Sequence, residues 1–152
     1  MTAAVTLASM GNGPAFSAYM GNTQTITLST LTKVIFNVEK FDTNSCFDTS
    51  NYRFTPTVAG YYQVNVLVFC DYNVSQFTGA EVHIYKNGVS VCRAAVAGVT
   101  WYGSQAVADV IYLNGSTDYI EVYGLISGGS GPQFLGGSIN RSSFSAAMVR
   151  GA

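Results

Sequence analysis

Charge is scarce in this chain of 152 residues. Asp, Glu, Lys and Arg together make up 10% of it, against about 25% in ordinary globular domains. Seven basic and eight acidic residues leave a formal net charge of −1, so no strong field attracts nucleic acid or an anionic membrane surface. A chain this poor in charge must cover its surface with small polar residues and tyrosine, or bury much of it against other chains.

Signals of catalysis and metal binding are also missing. His83 is the single histidine, and the sequence has no nucleophile elbow, phosphate-binding loop or His-rich cluster. The acidic residues are scattered and match no calcium-loop spacing. We therefore expect no enzyme activity and no cofactor; calcium held by loops after folding is the alternative.

The cysteines and the N-terminus exclude further classes. Cys46, Cys70 and Cys92 are odd in number and have no Cys-x-x-Cys spacing, which favours free thiols. The N-terminus lacks a basic start and a long apolar run, so we expect no signal peptide. No stretch approaches the roughly 18 apolar residues of a membrane span, so we expect no membrane insertion.

The chain does contain many short runs of β-branched and aromatic residues, separated by Gly, Asn, Ser and Thr. This pattern predicts an all-β, antiparallel, two-sheet sandwich or jelly roll over residues 15–152, preceded by an N-terminal arm over residues 1–14. Asn87-Gly88 and Asn114-Gly115 each lie between two such runs and predict hairpins. Further strands are predicted at 16–19, 25–28, 33–38, 52–55, 61–72 and 143–150.

The predicted strand at 61–72 has two unlike faces. One face is suited to a core and carries Tyr62, Val64, Val66, Val68 and Cys70. The other face has no charge and is largely apolar, which is typical of a strand buried on both sides. It carries Tyr61, Gln63, Asn65, Leu67 and Phe69.

A second predicted strand, at 104–113, supports the same interpretation. Ala106 and Ala108 offer small side chains that allow another surface to approach closely. Asp109 falls on the face with Val107 and Ile111, where an unpaired charge is unfavourable. Either an unseen partner or a shifted register would account for it.

The spacing of six residues resembles the signature of the C1q globular-head family, within the tumour-necrosis-factor-like jelly rolls. Phe36, Asp42, Phe47, Phe54, Gly60 and Tyr62 follow one another at intervals of six, five, seven, six and two residues. The family's later aromatics are replaced by Val64 and Val66. The segments YKNG, YLNGSTDYIEVY and FSAAMVR resemble the family's late strands, with Ala146 in place of a glycine.

The resemblance implies a jelly roll that assembles as a compact homotrimer. The strand after Gly60 would then lie in the inner sheet, which faces the three-fold axis. The interface would contain Tyr61, Gln63, Asn65, Leu67, Ala106 and Ala108. The alternative is that loops of the same chain cover this face.

The other sheet would carry the strands around His83 and Tyr119. Alternation directs Val82, Ile84, Ile120 and Val122 to the core, and His83, Tyr85, Tyr119, Glu121 and Tyr123 outward. Exposed tyrosines are good contact residues. The candidate ligand surface therefore comprises His83, Tyr85, Trp101, Tyr102, Tyr119 and Tyr123, although outward tyrosines that bind nothing fit the pattern equally well.

Two functions fit these expectations. The sequence has no Gly-X-Y repeat and no coiled-coil heptads, and it resembles the C1q-like segments of bacteriophage structural proteins. The first hypothesis is a non-enzymatic virion surface trimer, a phage capsid decoration (cement) protein that is made in the host cytoplasm and stabilises the shell. Its capsid-attachment arm would use Thr2, Val5, Leu7 and Met10. The second hypothesis is an extracellular recognition module, the receptor- or glycan-binding head of a phage tail fibre or bacterial adhesin.

Overall fold

The computed structural model describes residues 13–72, 77–100, 102–137 and 141–152, which form two antiparallel β-sheets packed against each other. All of the regular structure in the described residues is strand. These residues therefore contain no helix long and apolar enough to cross a membrane. The predicted all-β, two-sheet architecture is confirmed.

Sheet A is built around one long central strand, β7. One edge of β7 pairs with β10 along nearly its whole length, and the other edge pairs first with β13 and then with β12. The sheet continues from β13 to β1 and β4, and from β12 to β2. Its strands are β1 (Ala15–Tyr19), β2 (Gln24–Thr25), β4 (Val38–Asp42), β7 (Gly60–Tyr72), β10 (Tyr102–Leu113), β12 (Pro132–Phe134) and β13 (Ser143–Gly151).

Sheet B has β8 and β11 at its centre. β8 pairs with β9 on one side and with β11 on the other, and β11 then pairs with the short strands β3 and β6. Its strands are β3 (Thr32–Lys33), β5 (Phe47–Asp48), β6 (Arg53–Phe54), β8 (Phe77–Lys86), β9 (Val89–Thr100) and β11 (Ile120–Ser127).

The core between the sheets contains a cluster of phenylalanines. Phe16 stacks on Phe47 and Phe54 with ring centroids 4.5 and 4.7 Å apart, and Phe144 meets Phe16 edge-on at 4.8 Å. Such aromatic pairs add to the stabilisation that comes from burial. The predicted core face of β7 is confirmed, because every second residue from Tyr62 to Cys70 is buried in the core.

The six spaced residues of the C1q-like signature hold the fold together. Phe36, Phe47 and Phe54 lie in the core. Asp42 accepts a hydrogen bond from the backbone N–H of Phe47 at 2.7 Å, and buried Tyr62 donates its hydroxyl to the carbonyl of Val58 at 2.7 Å. Gly60 leaves no room for a Cβ, which would lie 2.5 Å from the carbonyl oxygen of Arg150. Each of the six residues of the signature therefore has a structural role in this fold.

Two of the predicted elements differ from the structure. The hairpin at Asn87-Gly88 is confirmed, since β8 and β9 pair across these two residues. The hairpin at Asn114-Gly115 is wrong, because β10 pairs with β7 in sheet A while β11 pairs with β8 in sheet B. The predicted strand at 33–38 is also wrong, because this segment crosses from β3 in sheet B to β4 in sheet A.

The two ends of the sandwich differ. At the basal end, Met148 donates its backbone N–H to the carbonyl of Pro14 at 3.1 Å, and Ala152 donates to Ala59 at 3.3 Å. The described chain therefore begins and ends at this end. At the apical end, Tyr72 pairs with Pro132, and Tyr102 pairs with Asp71.

Candidate interaction surfaces

The outward face of sheet A is uncharged over its centre. On β7, β10 and β13, the described residues that point away from the core between the basal and apical margins are alanine, serine, valine, leucine, asparagine, glutamine and aromatics. Val110 is 49% exposed, and the rings of Tyr61 and Tyr112, each 42% exposed, are 5.5 Å apart. An apolar face with this exposure is unusual for a monomer in water.

All six residues of the predicted trimer interface lie on this face. Strand pairing places Ala106 beside Leu67, and Ala108 beside Asn65, which in turn pairs with Ser145 on β13. Gln63 donates to the side chain of Asn65 at 3.2 Å. The structure thus brings the predicted set together, and its role in assembly stays a prediction.

A second apolar surface lies along one edge of the sandwich. It is formed by the outer edges of β9 and β10, with which no other strand of the described chain pairs. Val89, Val91 and Val96 are 64%, 45% and 41% exposed there. We call this surface the open edge. The open edge was not predicted from the sequence, although the run of apolar residues in β9 is a signal for it.

Asp109 lies at this open edge. Its neighbours in the core-facing row of β10, Val107 and Ile111, are both 7% exposed, and Asp109 itself is half-buried. Its carboxylate accepts a hydrogen bond from the backbone N–H of Val110 at 2.7 Å. The uninterrupted pairing of β10 with β7 excludes the shifted register as the explanation for a charge at this position.

The outward face of sheet B carries a buried carboxylate. Glu121 is 3% exposed and is bound by Lys33 Nζ at 2.8 Å, by Arg53 Nη2 at 2.6 Å and by the Tyr123 hydroxyl at 3.2 Å. Arg53 also stacks on the ring of Tyr119, 3.8 Å from its centroid. Burial raises the pKa of Glu121, but the hydrogen bonds and charges of Lys33 and Arg53 outweigh it, so this pKa lies below its ordinary value.

Four residues of the candidate ligand surface lie in this network or beside it: His83, Tyr85, Tyr119 and Tyr123. Tyr85, Tyr119 and Tyr123 are half-buried, with Tyr85 and Tyr123 in ring contact at 4.5 Å. Burial, followed by the charge of Glu121, raises the pKa of Tyr123. The expectation that His83 is exposed is wrong, since it is 7% exposed.

His83 is covered by the long side chains beside it. Its Nε2 lies 2.9 Å from Glu81 Oε2, and its Nδ1 lies 3.0 Å from Ser90 Oγ. Arg93 reaches the same carboxylate oxygen of Glu81 at 3.3 Å. The alternation that directs His83 and Glu121 away from the core was predicted correctly, but these neighbours and the strands beside them shield both residues from water.

The apical end carries the most exposed residue of the candidate ligand surface. Tyr102 is 70% exposed at the apical start of β10. Trp101 lies outside the described residues. The arm residues Thr2, Val5, Leu7 and Met10 also lie outside them, so the roles predicted for these positions stay predictions.

The cysteines and acidic residues were the other candidates for chemistry. The three cysteines are free, Cys46 and Cys70 in the core and Cys92 half-buried, and burial raises the pKa of the Cys70 thiol to about 12. Within the described ranges, no three His, Cys, Asp or Glu side chains form a group that could hold a metal ion. The calcium alternative stays a prediction.

This architecture is shared with known jelly rolls. The chain is similar to the globular domain of zebrafish complement 1qA protein, with 16% identity, a TM-score of 0.65, and coverage of 91% of this chain and 99% of that one. It is also similar to Eiger TNF from S. frugiperda (10% identity, TM-score 0.63, 92% and 95% coverage) and to murine APRIL (15%, 0.64, 90% and 98%). No family model and no curated protein matches the chain. At these identities the likeness establishes the fold alone: the chain is a C1q/TNF-like jelly roll.

Proposed function

We propose that the chain forms a non-enzymatic homotrimer that decorates the surface of a virion, as a capsid decoration (cement) protein of a bacteriophage. The observation that supports the trimer is that one subunit has two separate exposed apolar surfaces, the outward face of sheet A and the open edge. A closed ring of identical subunits joins two different patches, one from each neighbour. These two surfaces can supply them.

The geometry of the two surfaces favours a ring closed around an axis along the strands. Both surfaces, the face of sheet A and the open edge, are built from strands that lie in the surface. The normal to each surface is therefore perpendicular to the strands. A rotation about an axis along the strand direction can therefore bring the edge of one subunit onto the face of the next. In this arrangement the basal ends of all three subunits point the same way.

The basal position of Gly13 and Pro14 supports attachment through the arm that precedes them. Gly13 and Pro14 lie against Met148 at the basal end. A stretch of twelve residues spans at most roughly 40 Å when extended. Three uncharged arms leaving one end of a trimer could each bind a different shell subunit. Binding across the joints between these subunits would then stabilise the shell.

The first test separates assembly from attachment. Light scattering of the wild-type protein should give a mass near three times 16.1 kDa, or about 48 kDa, and this mass should persist on dilution. A variant lacking residues 2–12 should keep that mass and lose binding to purified shells of the virus that encodes the protein. A second variant, with Val5, Leu7 and Met10 replaced by serine, should behave in the same way and controls for arm length. Full shell occupancy by either variant would overturn the attachment role of the arm.

A recognition head is the second candidate, and the 70% exposure of Tyr102 at the apical end favours it. Tyrosine and tryptophan side chains combine an apolar body with a polar tip, which suits contact with sugars or protein. Glycan-array binding that is lost in both Trp101→Ala and Tyr102→Ala, with the trimer retained, would support this function. An array with no signal for the wild-type protein would count against it.

A further inference from the structure

The ion pairs of the subunit leave a small set of charges unmatched. All seven basic residues lie within the described chain, and four of them are paired: Lys33 and Arg53 with Glu121, Lys86 with Asp118, and Arg93 with Glu81. In the described structure, Lys40, Arg141 and Arg150 have no acidic partner within 4.0 Å. These three residues are therefore the cations available for a neighbouring subunit.

Asp109 is the carboxylate for which such a partner matters most. It is half-buried between two apolar side chains at the open edge, and its hydrogen bond is to the backbone of its own neighbour Val110. A second surface placed over the open edge would remove most of its remaining water. A carboxylate desolvated in this way is unfavourable unless a cation comes with the new surface.

The position of each charge along the strand direction, which we call its level, identifies the best-placed cation. Asp109 pairs with Val64, Val64 with Ala146, Ala146 with Phe16, and Phe16 with Asp42 on β4. Asp109 and Asp42 therefore lie at the same level. Lys40 is the extra residue of β4 at the bulge opposite Ser17 and Ala18, and it lies about two residues, or roughly 5 Å, from Asp42 toward the apical end. Arg150 pairs with Tyr61 and hence lies level with Tyr112, three residues or roughly 10 Å below Asp109.

Lys40 also lies on the correct part of the face. In a ring, the open edge of each subunit is already engaged with the next subunit. The edge that arrives from the other neighbour therefore lands on the rest of the face, from β7 across β13 and β1 to β4. Lys40 is exposed there, with its Nζ 5.9 Å from the ring centroid of Tyr19 on the outward face. A rotation about an axis along the strands leaves height unchanged, so it brings Asp109 of one copy to within roughly 5 Å of the level of Lys40 on the next.

We propose that Asp109 of one subunit forms an ion pair with Lys40 of the adjacent subunit and fixes the register of the trimer. The inference rests on the proposed trimer and identifies the residues that determine its specificity. Apolar contact between the face and the edge tolerates sliding along the strands. A single ion pair in each interface does not tolerate sliding, because a shift along the strands would leave a half-buried carboxylate without a cation.

The test measures subunit exchange between two mass-labelled populations by native mass spectrometry. Lys40→Asp places two like charges at each of the three interfaces and should accelerate exchange about tenfold or more. Combining it with Asp109→Lys should restore the wild-type rate to within about threefold. Arg150→Asp, the matched charge change at the wrong level, should have a smaller effect than Lys40→Asp.

A second pair of variants covers the case in which lysine at position 109 disturbs folding. Lys40→Gln should accelerate exchange in the wild-type background and have little further effect in Asp109→Asn. Equal effects of Lys40→Asp and Arg150→Asp, or additive effects of the neutral variants, would overturn the pair and leave the trimer standing. A wild-type protein that is monomeric at all concentrations would overturn the proposed trimer itself.

Discussion

A single buried carboxylate organises the outward face of sheet B. Glu121 collects two cations and a tyrosine hydroxyl that come from three different strands, β3, β6 and β11. Two of these strands are only two residues long, so their backbone hydrogen bonds alone hold them weakly. The ion pairs attach Lys33 and Arg53 to the centre of the sheet, and we interpret this cluster as structural.

Replacing this carboxylate should weaken the fold in a pH-dependent way. Glu121→Gln leaves Lys33 and Arg53 without their counter-ion, and it should lower the unfolding free energy at pH 7 by about 2–4 kcal/mol. The wild-type pKa of Glu121 lies below the 4.5 of an unperturbed glutamate. The contribution of the carboxylate is therefore complete above about pH 4.5 and is lost as the pH falls through the folded-state pKa.

Urea unfolding at pH 7 and pH 3.5, at one fixed protomer concentration, measures this effect, because assembly also contributes to apparent stability. The difference between wild type and Glu121→Gln should shrink at the lower pH. Glu39→Gln is the matched control, at an exposed carboxylate outside the cluster. An equal difference at both pH values would show that the charge of Glu121 does not stabilise the fold.

At the scale of single elements, local signals predicted turns better than they predicted strand partners. Asn87 and Gly88 both have positive φ, 52° and 80°, as the tight hairpin turn requires. Asn114-Gly115 gave the same signal, yet Gly115 serves a different purpose, because a Cβ there would collide with the backbone of Val58 and Ala59. Which sheet the next strand joins depends on contacts distant in sequence, and a dipeptide cannot encode them.

The same limit applies to burial on the outward faces. Alternation along β7 correctly predicted that Tyr62, Val64, Val66, Val68 and Cys70 face the core, because this depends only on the two-residue repeat of a strand. The burial of His83 depends on Ser90 across the hairpin and on Glu81 two residues away. Such coverage by long neighbouring side chains does not follow from the period of a strand.

The contact between the two sheets depends on a small residue in β11. Gly124 faces the core directly beneath Phe134 of β12, and a Cβ at this position would lie 2.5 Å from the phenylalanine Cζ and 3.0 Å from Cε1. The buried ring of Phe134 therefore occupies space that any larger residue at 124 would need. This is the packing of a large side chain against a small one that joins two sheets.

Gly124→Ala should accordingly destabilise the fold by about 1–3 kcal/mol through overpacking. Phe134→Leu should recover part of this loss when combined with Gly124→Ala, because the shorter side chain leaves room for the methyl group. Gly151→Ala is the matched control, since a Cβ there meets nothing within 4 Å, and it should be neutral. Additive effects of Gly124→Ala and Phe134→Leu in thermal unfolding would show that the two positions do not share this space.

At the scale of the whole molecule, the low charge of the sequence is distributed unevenly. Glu121, Glu81 and Asp118 gather most of the cations into ion pairs on sheet B and at the basal turns. The centre of the outward face of sheet A is left with small and aromatic residues. The sequence predicted this division from the strand at 61–72. The apolar run in β9 is only a partial signal for the open edge, because that surface also requires β9 and β10 to lie side by side.

A charge placed at the centre of that face should separate assembly from folding. Ala108 is exposed between Asn65 and the open edge, so Ala108→Glu is compatible with the fold of an isolated subunit. In the proposed ring it buries one carboxylate per subunit in an apolar interface, which is strongly unfavourable. We expect light scattering to show a shift from about 48 kDa to the 16.1 kDa of one chain, with an unchanged far-ultraviolet circular dichroism spectrum. Thr30→Glu, a change at another exposed position, in the loop before β3 and off both surfaces, should leave the mass unchanged. A trimer that tolerates Ala108→Glu would mean that the outward face of sheet A is not where the subunits meet.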